Sequence, residues 1–342
     1  MKEMKELFMR VVVVAMLLAM LMPVAVLGDT EDTATGTFSN NNVPSITYVK
    51  LYNSGGSGEV TDMTPQTAYD VKVKVADADG LADLTTIVVK LWYDADGSTP
   101  TEGEFTAAAA NTQSCVIITW TESGGSGSFA INPSSSTTWA LGTGVTPANL
   151  SGDFEFKFTV GKVATETTGS ANWQIAAKVT DDSSQTAFGY DTDTATNDMN
   201  WYGGIDVPTA TADWGLVNPG MVFAEGSPSE EALGVNITYI SNGAFDEMVK
   251  SSATWTGVPS GNATLSADAG NANEFALKAD DSGTLSSAVV VDATGVNIDN
   301  TGILTEEAGH NAAANALWLA LNATFTKAVY TGTITYIIAD GS

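Results

Sequence analysis

The sequence predicts an all-β chain, with two antiparallel β-sandwich modules in tandem behind an N-terminal signal peptide. Three observations carry that expectation. Short stretches alternate apolar and polar side chains with a period of two, the mark of sheets with one buried face. Clusters of Gly, Asp, Asn and Ser separate them, as turns between antiparallel strands require. A length of 342 residues is enough for two ordinary cores.

Residues 1–28 read as the signal peptide. Lys2, Lys5 and Arg10 form a basic start, and Val11 to Leu27 is an apolar run interrupted by Pro23. Small residues Val26 and Gly28 then suit cleavage after Gly28. The rival reading is an uncleaved anchor, because the run approaches spanning length. No cysteine lies near that point, which excludes a lipid-anchored start, and no second such run follows. The mature chain is therefore expected to carry no membrane span. Residues 29–43, opening DTEDTATGTFSNNN, form a polar leader. It is either a tail or an extended arm that adds a strand to a neighbouring subunit.

The first module is expected over residues 44–205. Strands are predicted at 45–53 (SITYVKLYN), 69–77 (YDVKVKVAD) and 85–94 (TTIVVKLWYD). In the second of these Val71, Val73 and Val75 point one way while Lys72 and Lys74 point the other. Further strands are expected at Cys115–Thr121, Phe129–Ile131, Asp153–Val160, Trp173–Thr180 and Thr186–Tyr190, which together argue an antiparallel sandwich. From Met199 to Gly220 the composition turns to Gly, Pro and Thr. That stretch reads as a seam, yet Trp201 and Trp214 in it want cover, so a packed joint is expected. The second module, residues 206–342, is predicted to hold a strand at Val235–Ile240, one strand containing Met248 and Trp255, and a last strand from Tyr330 to Ile338. By parity Tyr330, Gly332, Ile334, Tyr336 and Ile338 share its apolar face. Such a strand either pairs inside its own module or offers an open edge to another subunit.

The segment Tyr69–Gly97, in which a strand ends in D-x-D-G-L and a second strand follows at once, resembles Ig-like or cadherin-like modules of secreted archaeal and bacterial surface proteins. Thr211–Gly257, with its W-G opening, P-G turn and N-G turn, is similar to secreted surface-protein β-sandwich domains. The ending Leu317–Ser342, with Y-T-G-T-I-T-Y, is similar to WxL-like and other wall-associated sandwich domains. These resemblances imply two Ig-like folds and a non-catalytic module of the cell envelope.

Charge sets the partners. Forty acidic against 13 basic side chains give a formal net charge of −27, and −28 once residues 1–28 are gone. Such a surface repels nucleic acid and anionic membrane faces and attracts divalent cations and basic partners. Asp77, Asp79 and Asp83 crowd around Gly80, with Asp94 and Asp96 closing the next strand. Carboxylates at alternate positions around a glycine turn suit calcium, which takes six to eight oxygens. Asp and Gly are equally what turns are made of, and the terminal glutamate of the full calcium-loop pattern is missing. Asp181, Asp182, Asp191, Asp193 and Asp198 form a second acidic group open to the same two readings.

Sequons at Asn149, Asn236, Asn262 and Asn322 are glycosylation candidates in an exported chain, Asn236 only if its side chain faces solvent. Cys115 is the single cysteine, so no intrachain disulfide forms and the residue reads as buried. His310 is the single histidine, and no H-E-x-x-H, G-x-S-x-G or cysteine-pair pattern occurs. No enzyme is expected, although a hydrolase working through carboxylates alone stays open. The leading expectation is a secreted structural subunit of a filament, sheath or surface layer, a homo-polymer joined by strand or edge pairing and calcium bridges. The alternative is a secreted module binding cell-envelope polysaccharide, with several of the eight tryptophans as stacking platforms.

Overall fold

The computed structural model describes residues 4–6, 8–12, 35–38, 40–123, 127–134, 139–147, 151–192, 197–208, 211–223, 231–259, 261–299 and 311–341. It is nearly all β, with 48% strand and 6% helix, several sheets and a curled half-barrel. Met1–Asn41 and Asn42–Ser342 are separate compact units. In the first, residues 4–6 and 8–12 are helical and 35–38 have no regular structure. Residues 13–34, which hold most of the expected signal peptide and the start of the leader, lie outside the described residues. No helix among the described residues is long and apolar enough to cross a membrane.

In the second unit the chain first lays down β1 (Ser45–Asn53), β2 (Asp62–Met63), β3 (Ala68–Ala76), β4 (Leu84–Asp94), β5 (Cys115–Thr121), β6 (Ser128–Asn132), β7 (Ala140–Leu141), β8 (Ser151–Thr159), β9 (Asn172–Asp181), β10 (Thr186–Tyr190) and β11 (Asp198–Met199). Among the described residues these form two antiparallel sheets, β1-β3-β8-β7 and β10-β9-β4-β5-β6, and a small parallel pair of β11 with β2. Alternation explains the layering. Val71 and Val73 of β3 stand opposite Leu51 and Val49 of β1 and Phe156 and Phe154 of β8. Ile87, Val89 and Leu91 of β4 stand opposite Val179, Ala177 and Ile175 of β9. Both sets are buried in one continuous core that also takes in Trp120, Trp139 and Trp173. Removing that much apolar surface from water is the main stabilising term for a domain without disulfides.

The outer face of β4 has its own cover. A short helix, Glu102–Ala107, seats Phe105 against Trp92, Cys115 and Ala176. Thr101 and Glu104 cap its start reciprocally, and Lys90 closes its end by donating from Nζ to the carbonyls of Phe105 and Ala108, each at 2.6 Å.

The chain continues through β12 (Gly203–Asp206), β13 (Glu231–Ser241), β14 (Phe245–Ser251), β15 (Thr254–Val258), β16 (Asn262–Leu265), β17 (Glu274–Asp280), β18 (Val289–Val290), β19 (Val296–Asp299), β20 (Asn311–Leu321), β21 (Val329–Thr331) and β22 (Ile334–Asp340). The large sheet runs β12-β13-β20-β17-β16-β15-β21, and β19-β14-β22 form a second. Ile237, Val249, Phe275, Leu277, Leu317 and Tyr336 meet in the core between them. Two sequence expectations are corrected here. Met248 and Trp255 stand on different strands, β14 and β15, which belong to different sheets. The predicted last strand is two, because the chain breaks at Gly332 and Thr333. A Cβ on Gly332 would lie 2.1 Å from the Trp255 ring, so the indole holds the backbone at a corner only glycine can turn.

The seam is packed, and its two tryptophans find cover in different places. Trp201 donates its indole N–H to the Ala244 carbonyl at 2.9 Å, whereas Trp214 lies 6.0 Å from Trp255 against the second core. Asn242, fully buried in the turn between β13 and β14, ties the segments together. Its Nδ2 donates to the carbonyls of Ala164 and Asn200, its Oδ1 accepts from the Tyr202 amide, and its own carbonyl accepts from the Glu166 amide. A buried amide with this many partners fixes the joint as a unit.

Candidate functional site

The turn between β3 and β4 gathers the densest group of carboxylates. Gly80 turns the chain with φ near 110°, which L side chains rarely adopt, and a single 3-10 turn, Leu81–Asp83, follows. The Asp79 amide donates to Asp77 Oδ1 at 2.9 Å, the Gly80 amide to the Asp77 carbonyl, and the Asp83 amide to the Gly80 carbonyl. Asp77, Asp79 and Asp83 thereby bring one carboxylate oxygen each within 4.8 Å of one another. Asp77 is 4% exposed, and Oδ2 of Asp77 and Oδ2 of Asp83 are buried without a hydrogen-bond partner. Burial raises the Asp83 carboxyl above its usual range, and the charge and hydrogen bond of Asp182 add to the shift. Buried carboxylate oxygens left without donors are expensive unless a proton or a cation meets them. The donor set, all hard oxygens, fits calcium or magnesium.

Other predicted members do not join this group. Asp94 caps its own turn, accepting from the Asp96 amide at 3.2 Å and from the Ser98 amide and hydroxyl at 2.8 and 2.9 Å. From the second acidic group, Asp182 reaches the cluster because its amide donates to the Asp83 carbonyl. Asp181 Oδ1 instead accepts from the Gln185 amide, and Asp198 Oδ1 accepts from the Thr167 hydroxyl. Asp193 lies outside the described residues. The approach of Asp182 to Asp83 follows from the register of β4 with β9, and no local pattern in the sequence announces it.

The sequons divide by exposure. Asn236 faces solvent from β13, as glycosylation there demands, and Asn262 is exposed at the start of β16. Asn322 is half-buried and engaged: Nδ2 donates to the Ala269 carbonyl, and Oδ1 accepts from the Thr324 amide and hydroxyl. Asn149 and His310 lie outside the described residues. All eight tryptophans are described; six are buried and Trp201 and Trp214 are half-buried.

The second core opens at one edge. A cavity of about 600 Å³ is walled by Trp214, Trp255, Phe275, Leu319, Phe325 and Tyr330, within the size range of ligand and side-chain pockets. The Trp214 indole N–H is buried there without an acceptor. Leu216, lining the cavity, is 94% exposed, and Val329 of β21, also lining it, is 70% exposed. Val258, paired with Val329 across β15 and β21, is exposed as well. Among the described residues β21 is the outermost strand of its sheet, so its far backbone edge carries no strand. The strand β22 pairs with β14 and, among the described residues, ends the three-stranded sheet.

Compared with known proteins, the chain matches no family model and no curated protein.

Proposed function

We infer that this chain is an exported structural protein of the cell surface, assembling with copies of itself into a filament, sheath or layer. It reads best as two Ig-like sandwich modules in tandem, residues 44–205 and 206–342, released by removal of residues 1–28. It performs no catalysis. The observation that carries the reading is the β21 edge: a strand paired on one side only among the described residues and bordered by exposed Leu216, Val258 and Val329, beside an aromatic-walled cavity with an unanswered indole N–H. Exposed apolar edges of this kind are a liability in a monomer and a joint in a polymer. The occupant is an extended segment of a second copy. Its backbone continues the sheet, one apolar side chain fills the cavity, and a backbone carbonyl accepts from Trp214. The leader suits that role, because Phe38 is 96% exposed in a stretch without regular structure. A divalent cation of the calcium class occupies the Asp77–Asp79–Asp83 turn and stiffens the first module.

Sedimentation velocity of the purified chain tests the reading. The unchanged protein is expected to sediment as large species and Val329→Lys, which places a charge on the exposed edge, as a monomer with an unaltered far-ultraviolet spectrum. Equal sedimentation of the two, or a monomeric unchanged chain at every concentration, overturns it.

A further inference from the structure

The base of the leader and the carboxylate turn meet at one residue, Asp79. Asn42 is the residue at which the second unit begins, just before β1. Both oxygens of Asp79 accept from it, Oδ2 from the Asn42 backbone amide at 2.5 Å and Oδ1 from Asn42 Nδ2 at 3.0 Å. The residues that follow are fixed on the same sheet. Pro44 is buried, and the Ser45 hydroxyl donates to the Ala76 carbonyl at 3.1 Å, across the first pair of β1 with β3. The chain thus enters its first sheet beside the turn that β3 leads into, and Asn42 is the outermost of these attachments.

Asp79 is also a member of the cation cluster, offering an oxygen within 4.8 Å of those of Asp77 and Asp83. Two further observations point to a positive ion there. Asp77 is buried with Oδ2 lacking a hydrogen-bond partner. Asp182, from the turn between β9 and β10, also brings its carboxylate into hydrogen-bonding contact with that of Asp83, and two carboxylates in contact need a proton or a cation between them. Each carboxylate oxygen has two lone-pair sites, so Asp79 can keep both bonds from Asn42 while one oxygen ligates an ion. Metal-ligating carboxylates are ordinarily hydrogen-bonded in this way, by outer partners that hold the ligand's direction. Asp79 is exposed, and two donors from one residue fix a carboxylate plane that is otherwise free to turn.

We propose that a hard divalent cation held by Asp77, Asp79 and Asp83 is coupled to the base of the leader through Asn42. The ion makes the Asn42 contacts persistent, and by linkage those contacts tighten the ion by the same factor. This rests on the cation assigned to the turn above and adds what the ion governs. In an assembling chain the leader is anchored at its base when calcium is present and released there when calcium is removed.

Calcium binding to the full chain is measured by titration calorimetry, and amide exchange over residues 40–44 by mass spectrometry with calcium and with a chelator. Calcium is expected to slow exchange at the Asn42 amide by about tenfold in the unchanged chain. Asn42→Ala, which removes the Nδ2 donor from an exposed residue, is expected to weaken calcium binding by about tenfold. Asp77→Asn is expected to abolish the effect of calcium on exchange, and circular dichroism confirms the fold of each variant. Calcium affinity unchanged in Asn42→Ala, or exchange at Asn42 indifferent to calcium, overturns the coupling and leaves a cation at the turn standing. No calcium binding by the unchanged chain overturns both. Neither readout depends on assembly, so a chain that shows both effects and stays monomeric keeps the coupling and loses the filament.

Discussion

The Cys115 thiol lies with Trp92, Phe105 and Ala176 beneath the short helix, and burial pushes it up to about 11. At neutral pH it is a protonated thiol shielded from solvent, so it is neither a nucleophile nor a metal ligand. Iodoacetamide at pH 8 is expected to leave the native chain unmodified and to label it fully in denaturant, as read by intact mass. Asp280, at the end of β17, behaves in the opposite sense. Burial works to raise its carboxyl, yet the Ser282 hydroxyl and the amides of Ser282 and Thr284 outweigh it and hold the group below the usual carboxylate range. A carboxyl lowered on folding contributes stability above its unfolded pKa and loses that contribution as pH falls through its folded value. Asp280→Ala is therefore expected to cost about 1–3 kcal/mol at pH 7 and distinctly less near pH 2, measured by urea unfolding at both. The lone apolar cysteine was legible in the sequence, because an isolated Cys in CVIITW has an apolar core as its ordinary place. Glu166 was not, since nothing near it in sequence marks a carboxylate that a turn some 75 residues away will bury.

At the scale of elements, parity carried far where strands stay in one sheet. Val71, Val73 and Val75 were assigned to one face by alternation, and all three are buried in the first core. Parity failed where a distant side chain bends the chain: Trp255 breaks the Tyr330–Ile338 run at Gly332 and sends its halves to different sheets. The helix Glu102–Ala107 did have a local signal, the T-x-x-E of Thr101 and Glu104, which an expectation of strands alone passes over. Of the predicted cation group, Asp77, Asp79 and Asp83 are held together by one turn and so were readable as a set, whereas Asp94 serves its own turn. The turn after Asp94 gives a stability test. Gly97 has φ near +63°, and a Cβ there would lie 2.2 Å from the Ser170 carbonyl oxygen, a backbone atom that cannot swing aside. Gly97→Ala is expected to destabilise the protein by about 1–3 kcal/mol, seen as a lower thermal midpoint, with no change in assembly below that temperature.

For the whole molecule, a formal charge of −27 spread over a chain without disulfides means that copies repel at low ionic strength, so any joint between them must be apolar or cation-bridged. In the proposed assembly the β21 edge supplies the apolar surface, and a cation at the Asp77 turn lowers the repulsion and stiffens each copy. All-β character was legible from composition and alternation. The open edge was not, because it depends on which strand ends the large sheet, and the order β17-β16-β15-β21 follows from pairings that no sequence pattern encodes. Negative-stain electron microscopy of the purified chain, at matched ionic strength with calcium and with a chelator, tests the central claim most directly. Filaments, tubes or sheets are expected with calcium, shorter or fewer with chelator, and none for Val329→Lys in either condition. Dispersed single particles of the unchanged chain in both conditions would contradict a structural subunit.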